Sequence, residues 1–169
     1  DQGAVTNEDL GAFDVVWMRK DPPFDMTYVF ATYLLDLADT LVLNDPAGLK
    51  LFNEKLWAMK WPQFQPSTLL SNDKERLMAF VRDQPDGAVL KPWDGNGGRG
   101  VLVTNGQDRN LASMVEVLTH EGRDHVLAQA YISGVTRGDK RILLFDGEPV
   151  GAINRVPPSG DYRANMHVG

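Results

Sequence analysis

Val89-Leu90-Lys91-Pro92-Trp93-Asp94-Gly95-Asn96-Gly97-Gly98-Arg99-Gly100-Val101-Leu102-Val103 sets a glycine-rich turn between two apolar runs of strand character. Glycine permits backbone conformations closed to other residues, and consecutive amides in such a turn form a concave nest for an anion. The loop is therefore a candidate cover for the phosphates of a nucleotide. It is not a Walker loop, since no Gly-Lys-Ser/Thr follows and the next element is a strand, and the strand-to-strand setting is equally foreign to a dinucleotide fold. A plain flexible hairpin uses the same residues. Lys91, on the strand leading in, favours the phosphate reading because an ammonium there reaches the loop as a point charge, although lysines on strands are common.

Short apolar runs alternate with amphipathic stretches on either side of this turn. Strands are expected over 68–70, 88–90, 101–104 and 126–132, and helices over 72–83, with Asn72 and Glu75 as a capping pair, and over 111–120. Residues 141–145 and 149–153 read as a hairpin turned by Asp146-Gly147. Strands joined by hairpins with helices between them predict an α+β fold with a largely antiparallel sheet. Nearer the start, 13–18 reads as a short buried strand. Asp25 is placed to cap a helix from 26 to about 38, whose Tyr28, Ala31, Leu35 and Ala38 fall near helical spacing. A strand over 40–43 follows almost without a connector. Asn44-Asp45-Pro46 then starts a helix carrying Leu49, Phe52, Leu56 and Met59 as one apolar stripe, with Lys55 beside it, until Trp61-Pro62. The abrupt junction near residue 40, and Asp in place of Met at position 1, lead to the expectation of a piece of a longer protein. An intact mass of 18.8 kDa would contradict it.

A chain of 169 residues holds one core, or one domain and part of a second. No apolar run approaches the ~18 residues of a membrane helix. With no cysteine and no basic, apolar leader, the expected compartment is the cytoplasm. Twenty-three acidic against 17 basic residues give a net charge of -6, which opposes attraction to nucleic acid or anionic lipid. Any anionic ligand must then be held by a local basic site. His120, His125 and His167 lack metal-ligand spacing, so no zinc site is expected among them.

Four runs, in order, spanning nearly the whole chain and including part of the glycine-rich stretch, carry a family resemblance. They are Met18-Arg19-Lys20-Asp21-Pro22-Pro23-Phe24-Asp25; Asn53-Glu54-Lys55-Leu56; Leu90-Lys91-Pro92 with Asp94-Gly95-x-Gly97-Gly98; and Gly138-Asp139-Lys140-Arg141 with Asp146-Gly147-Glu148-Pro149-Val150. Together they resemble the prokaryotic glutathione synthetases of the ATP-grasp superfamily, the first run being the most specific. The resemblance implies an ATP-grasp domain over 44–169, preceded over 1–43 by the end of an α/β substrate domain. It implies that ATP lies between two α+β subdomains, with Lys55 and Lys91 on its phosphates and the loop of Gly95, Gly97 and Gly98 closing over them. Gln129, Ala130, Tyr131 and Ile132 would flank adenine, and Asp139 would lie near the ribose. Arg141, Arg155 and Arg163 would serve catalysis, and Arg19, Lys20, Asp25 and Asn165 would bind substrate. Physical alternatives stay open for several of these: a core strand for 129–132, a cross-strand ion pair for Asp139, and solvated side chains for the arginines.

The reaction implied by the resemblance is phosphorylation of the cysteinyl carboxylate of γ-glutamylcysteine by ATP. The amine of glycine then attacks the acyl phosphate, giving glutathione, phosphate and ADP. Such chemistry asks for positioning and charge neutralisation, which suits lysines, arginines and a glycine-rich lid, and needs no nucleophile on the protein. Mg²⁺ is expected as well, with its ligands beyond Gly169. The 169-residue chain alone is accordingly expected to be inactive, and robust glutathione formation by it would refute this. The resemblance also implies a homo-oligomer. Other ATP-grasp ligases, adding glutamate or D-alanine, would share the lysines and the loop but not the run from Arg19 to Asp25. A non-catalytic ATP-binding module is the reading from a different class.

Overall fold

The computed structural model describes residues 3–20, 23–53, 55–158 and 160. The chain divides into two compact units, residues 1–60 and 61–169.

In the first unit, strand β1 (Val15–Trp17) and strand β2 (Leu41–Leu43) pair in parallel, Val15 opposite Leu41 and Trp17 opposite Leu43, with helix α1 (Met26–Asp36) between them in sequence. Parallel neighbours require such a crossover. Asp25 caps α1 as its residue type predicts, its carboxylate accepting from the Tyr28 amide at 2.8 Å. The apolar run over 13–18 predicted a buried strand. Only three residues pair, and Val15 and Trp17 are 47% and 66% exposed while Val16 between them is half-buried. A two-stranded ribbon is covered on one face, so alternation governs it, whereas a continuous apolar run signals burial on both faces.

Helix α2 (Pro46–Leu51) starts where predicted, with Asp45 accepting from the Gly48 amide at 2.6 Å and Pro46 in the first turn. It ends well short of the expected Met59. The buried Asn53 side chain accepts from the amides of Lys55 and Leu56, both at 3.0 Å, and so offers the backbone a turn in place of the helical ladder. Phe52 packs edge-on against Trp57 at 4.6 Å, and a 3₁₀ turn over Trp57–Lys60 follows.

The second unit contains β3 (Thr68–Ser71), α3 (Lys74–Arg82), β4 (Ala88–Pro92), β5 (Leu102–Thr104), α4 (Leu111–Leu118), β6 (Val126–Ala130), β7 (Asp139–Phe145) and β8 (Glu148–Arg155). Four strands form one sheet in the order β3-β6-β4-β5, every pair antiparallel, and β7 with β8 forms a separate antiparallel ribbon. The expected α+β, largely antiparallel architecture is what the chain adopts. Helices α3 and α4 bury Leu77, Val81, Leu111 and Val115 against Leu90, Val126 and Ala128 of the sheet. Among the described residues no helix is long and apolar enough to cross a membrane.

Several boundaries differ from expectation, and side-chain or backbone bonding accounts for three of them. Asp73, not Asn72, caps α3, accepting from the Arg76 amide at 2.8 Å, because Asn72 donates instead to the Gly122 carbonyl at 2.7 Å. Asp73→Ala is accordingly expected to cost about 1 kcal/mol in urea denaturation, and Asn72→Ala less. Helix α4 stops at Leu118 because His120 and Glu121 take positive φ values of 45° and 60°. Strand β6 stops at Ala130, after which the Tyr131 amide turns to the Gly87 carbonyl at 2.9 Å. The β7–β8 turn is as predicted: Asp146 and Gly147 both have positive φ, 49° and 81°, which a two-residue type I′ hairpin requires.

Candidate nucleotide-binding site

Directly opposed residues of antiparallel strands project to the same side of the sheet. The register opposes Val89 to Gln129, Lys91 to Leu127 and Thr68 to Gln129, so Lys91, Gln129 and Thr68 share one face. Ala88, Leu90, Val126 and Ala128 form the other, which the helices cover. Lys91 and Gln129 are thus diagonal neighbours on the face opposite the helices, where Leu127 is also buried. Gln129 is oriented by its own contacts, its Nε2 donating to Thr68 Oγ1 at 3.0 Å and reaching Gln65 Oε1 at 3.5 Å. Thr68 and Gln65 carry no motif. Only the cross-strand register brings them to the site.

The glycine-rich loop joins β4 to β5 next to Lys91. Gly97, Gly98 and Gly100 hold φ values of 59°, 79° and 68°. A Cβ at Gly100 would lie 2.9 Å from Pro92 Cγ, so the loop folds back on the end of β4 more closely than another residue would allow. Inside the loop the Arg99 amide donates to the Asn96 carbonyl at 3.1 Å. Glycines at these positive-φ positions leave the backbone amides open to an anion, which is what a phosphate-binding turn requires.

Residues 130–132 lie at the other end of β4, where Ala130 opposes Ala88 one step beyond Gln129. The Ala130 and Tyr131 amides donate to the carbonyls of Ser67 and Gly87, both at 2.9 Å, and Ile132 is exposed. The five residues of β4 thus separate this segment from the loop, by about 13 Å at a strand's rise per residue.

Asp139, Arg141 and Arg155 share a face of the β7–β8 ribbon, Asp139 opposite Arg155 and Arg141 opposite Ile153. Asp139 accepts from Arg155 through both oxygens, from Nε at 2.6 Å and from Nη2 at 2.7 Å. The alternative of a cross-strand ion pair is therefore realised, with Arg155 as the partner.

In the first unit, Arg19 lies 5.5 Å from the centre of the Trp17 ring, Lys20 is exposed, and the Asp25 carboxylate is engaged as a helix cap. The Lys55 backbone is held by Asn53. Arg163 and Asn165 lie outside the described residues. Away from these positions, Lys74 is held above the ordinary lysine range by its 2.6 Å bond to Glu116. Among the described residues no group of three or more His, Cys, Asp or Glu stands together to hold a metal ion.

Residues 54–169 match the model of the prokaryotic glutathione synthetase ATP-grasp domain, and residues 1–50 match that of the same family's N-terminal domain. The chain belongs to the prokaryotic glutathione synthetase family. It is 48% identical to the glutathione synthetase of Thermosynechococcus vestitus over 99% of its own length and 53% of the relative's. Against that of Brucella melitensis the identity is 46%, over 99% of this chain and 54% of the relative. The chain spans about half the length of the curated relatives it matches. Among solved structures, D-cycloserine synthetase DcsG superimposes with a TM-score of 0.68 at 20% identity, over 92% of this chain and 56% of that one. The ATP-grasp ligase PsnB, complexed with a precursor peptide and AMPPNP, gives 0.54 at 21% identity, over 85% of this chain and 52% of its own. At such identities these structures speak to the fold, which is the ATP-grasp arrangement of helices on antiparallel sheets expected for glutathione synthetases.

Proposed function

We propose that the protein is an ATP-dependent ligase that joins γ-glutamylcysteine to glycine through an acyl phosphate. One observation carries the nucleotide half of this reading. The glycine-rich loop stands just beyond one end of β4 and residues 130–132 at the other, about the length of an extended nucleoside triphosphate apart. Adenine beside Tyr131 and Ile132 and phosphates beneath Gly97, Gly98 and Gly100 match that spacing. Family membership supports Lys55 as a further phosphate contact, Arg19 and Lys20 as substrate contacts, and Arg141, Arg155 and Arg163 as stabilisers of the charge that builds on phosphoryl oxygens. In this reading Gly95 serves the loop and Asn165 the substrate. Asp25 has the cap of α1 as its first duty. Residues 1–43 belong to the substrate domain and 44–169 to the nucleotide domain, and Mg²⁺ is bound by residues other than those described. The setting is a cytoplasmic homo-oligomer acting on small molecules.

The test is a product assay on the full-length protein with ATP, γ-glutamylcysteine and glycine. Glutathione and ADP in equal amounts are expected. ADP formed only with a different carboxylate and amine would move the protein to another ATP-grasp ligase activity. Nucleotide binding with no ADP from any pair would make it a binding module.

A further inference from the structure

We infer that Asp139 is a positioning residue for Arg155, acting on the reaction through that guanidinium and not as a ligand of the ribose. The inference rests on the ligase reading above. A guanidinium presents two edges of paired N–H groups, one formed by Nε and Nη2 and the other by Nη1 and Nη2, and each matches a carboxylate or a phosphoryl group. Asp139 occupies the first edge, with one oxygen on each nitrogen at 2.6 and 2.7 Å. Both of its oxygens are thereby committed to Arg155. Each oxygen keeps a second lone pair on a side chain that is 44% exposed, so adenosine affinity is what separates a ribose contact from the orienting role.

The backbone makes the pairing durable. Asp139 and Arg155 are directly opposed in the ribbon, so neither side chain has to reach, and the Arg155 side chain is only 19% exposed. Fixing the Nε edge in this way fixes the direction of the Nη1 edge, and that edge is what a phosphoryl oxygen would meet. Asp139 therefore trades part of the net positive charge for a set orientation, a useful exchange where catalysis depends on donors aimed in advance.

Calorimetry on the full-length protein tests this, measuring ATP and adenosine binding to wild type, D139A, D139N, R155A and D139A/R155A. D139N keeps the size of the side chain but sets an amide NH₂ against an arginine N–H, so it is expected to behave like D139A without disturbing the fold. Each single variant is expected to bind ATP about 10-fold more weakly and adenosine unchanged, and the double variant no more weakly than R155A alone. Equal loss of adenosine and ATP in D139A, or single effects that multiply to about 100-fold in the double variant, would overturn the inference. Because binding is measured without turnover, absence of glutathione synthesis with this pattern intact defeats the ligase reading alone. Adenosine loss in D139A with synthesis intact defeats the positioning role alone. A wild-type protein that binds neither ligand defeats both.

Discussion

Lys91→Ala is expected to lower kcat/KM for ATP about 100-fold, which corresponds to about 2.7 kcal/mol of lost transition-state stabilisation. Lys91 is half-buried on β4, on the face the helices leave uncovered, one residue before the Pro92 against which the glycine loop folds. Phosphoryl transfer spreads negative charge over several oxygens, and an ammonium held there by a strand acts without reorganising. In a partly covered site such a charge-assisted contact is worth about 1.5–3 kcal/mol, which sets the size of the effect. Lys91→Arg keeps the charge but replaces a compact point donor by a longer planar fork, and is expected to recover only part of the loss. Lys74→Met is the control. It also removes a lysine from an acidic protein, but its partner is Glu116 on the outer side of α4, so kcat/KM should not move. If Lys91→Ala turned over ATP like the wild type, the phosphate reading of the loop would fail with it.

Much of the second unit was legible because its elements are short apolar runs closed by turn residues, and such signals are local. Asp146-Gly147 specified its hairpin since a type I′ turn needs two positive φ values that few other pairs tolerate. Where two neighbouring residues compete for one task the sequence is mute. Asn72 and Asp73 can each cap α3, and a bond from Asn72 to a carbonyl fifty residues away decides between them. The same holds for α2, where an apolar stripe argued for a long helix and the buried Asn53 side chain redirected the backbone.

The candidate site was legible as a set of residue types and illegible as an arrangement. Strand periodicity places Asp139 and Arg141 on one face, but the opposing residue depends on register, and a shift of one would have sent Arg155 to the other side. Register also decides that Lys91 and Gln129 share the face opposite the helices, and that Thr68 and Gln65 join them. The glycine loop and Lys91 were legible from residue chemistry and the other motifs from family resemblance, while the pairings between them follow from strand register, which no local signal carries.

Gly138→Ala is expected to destabilise the protein by about 2–3 kcal/mol and to weaken ATP binding as D139A does. Gly138 has φ 101° and ψ 168°, a region occupied almost only by glycine, and forcing a side chain into it costs about 1–3 kcal/mol. Steric conflict adds to that strain. A Cβ there would lie 2.6 Å from the carbonyl oxygen of Arg155 and 2.8 Å from Asn154 Nδ2. The first is a backbone atom that no rotamer change can remove, so the end of β8 must shift. Since Asp139 follows Gly138 directly and its partner is Arg155, any shift of that end reaches the bidentate pair. Gly147→Ala separates strain from displacement: Gly147 also has a positive φ, 81°, but nothing lies within 4 Å of its Cβ position. It should lose about 1 kcal/mol in urea denaturation and keep its ATP affinity. A Gly138→Ala protein that unfolded and bound ATP like the wild type would mean that the β8 end yields freely, and the close approach at Gly138 would then have no part in aiming Arg155.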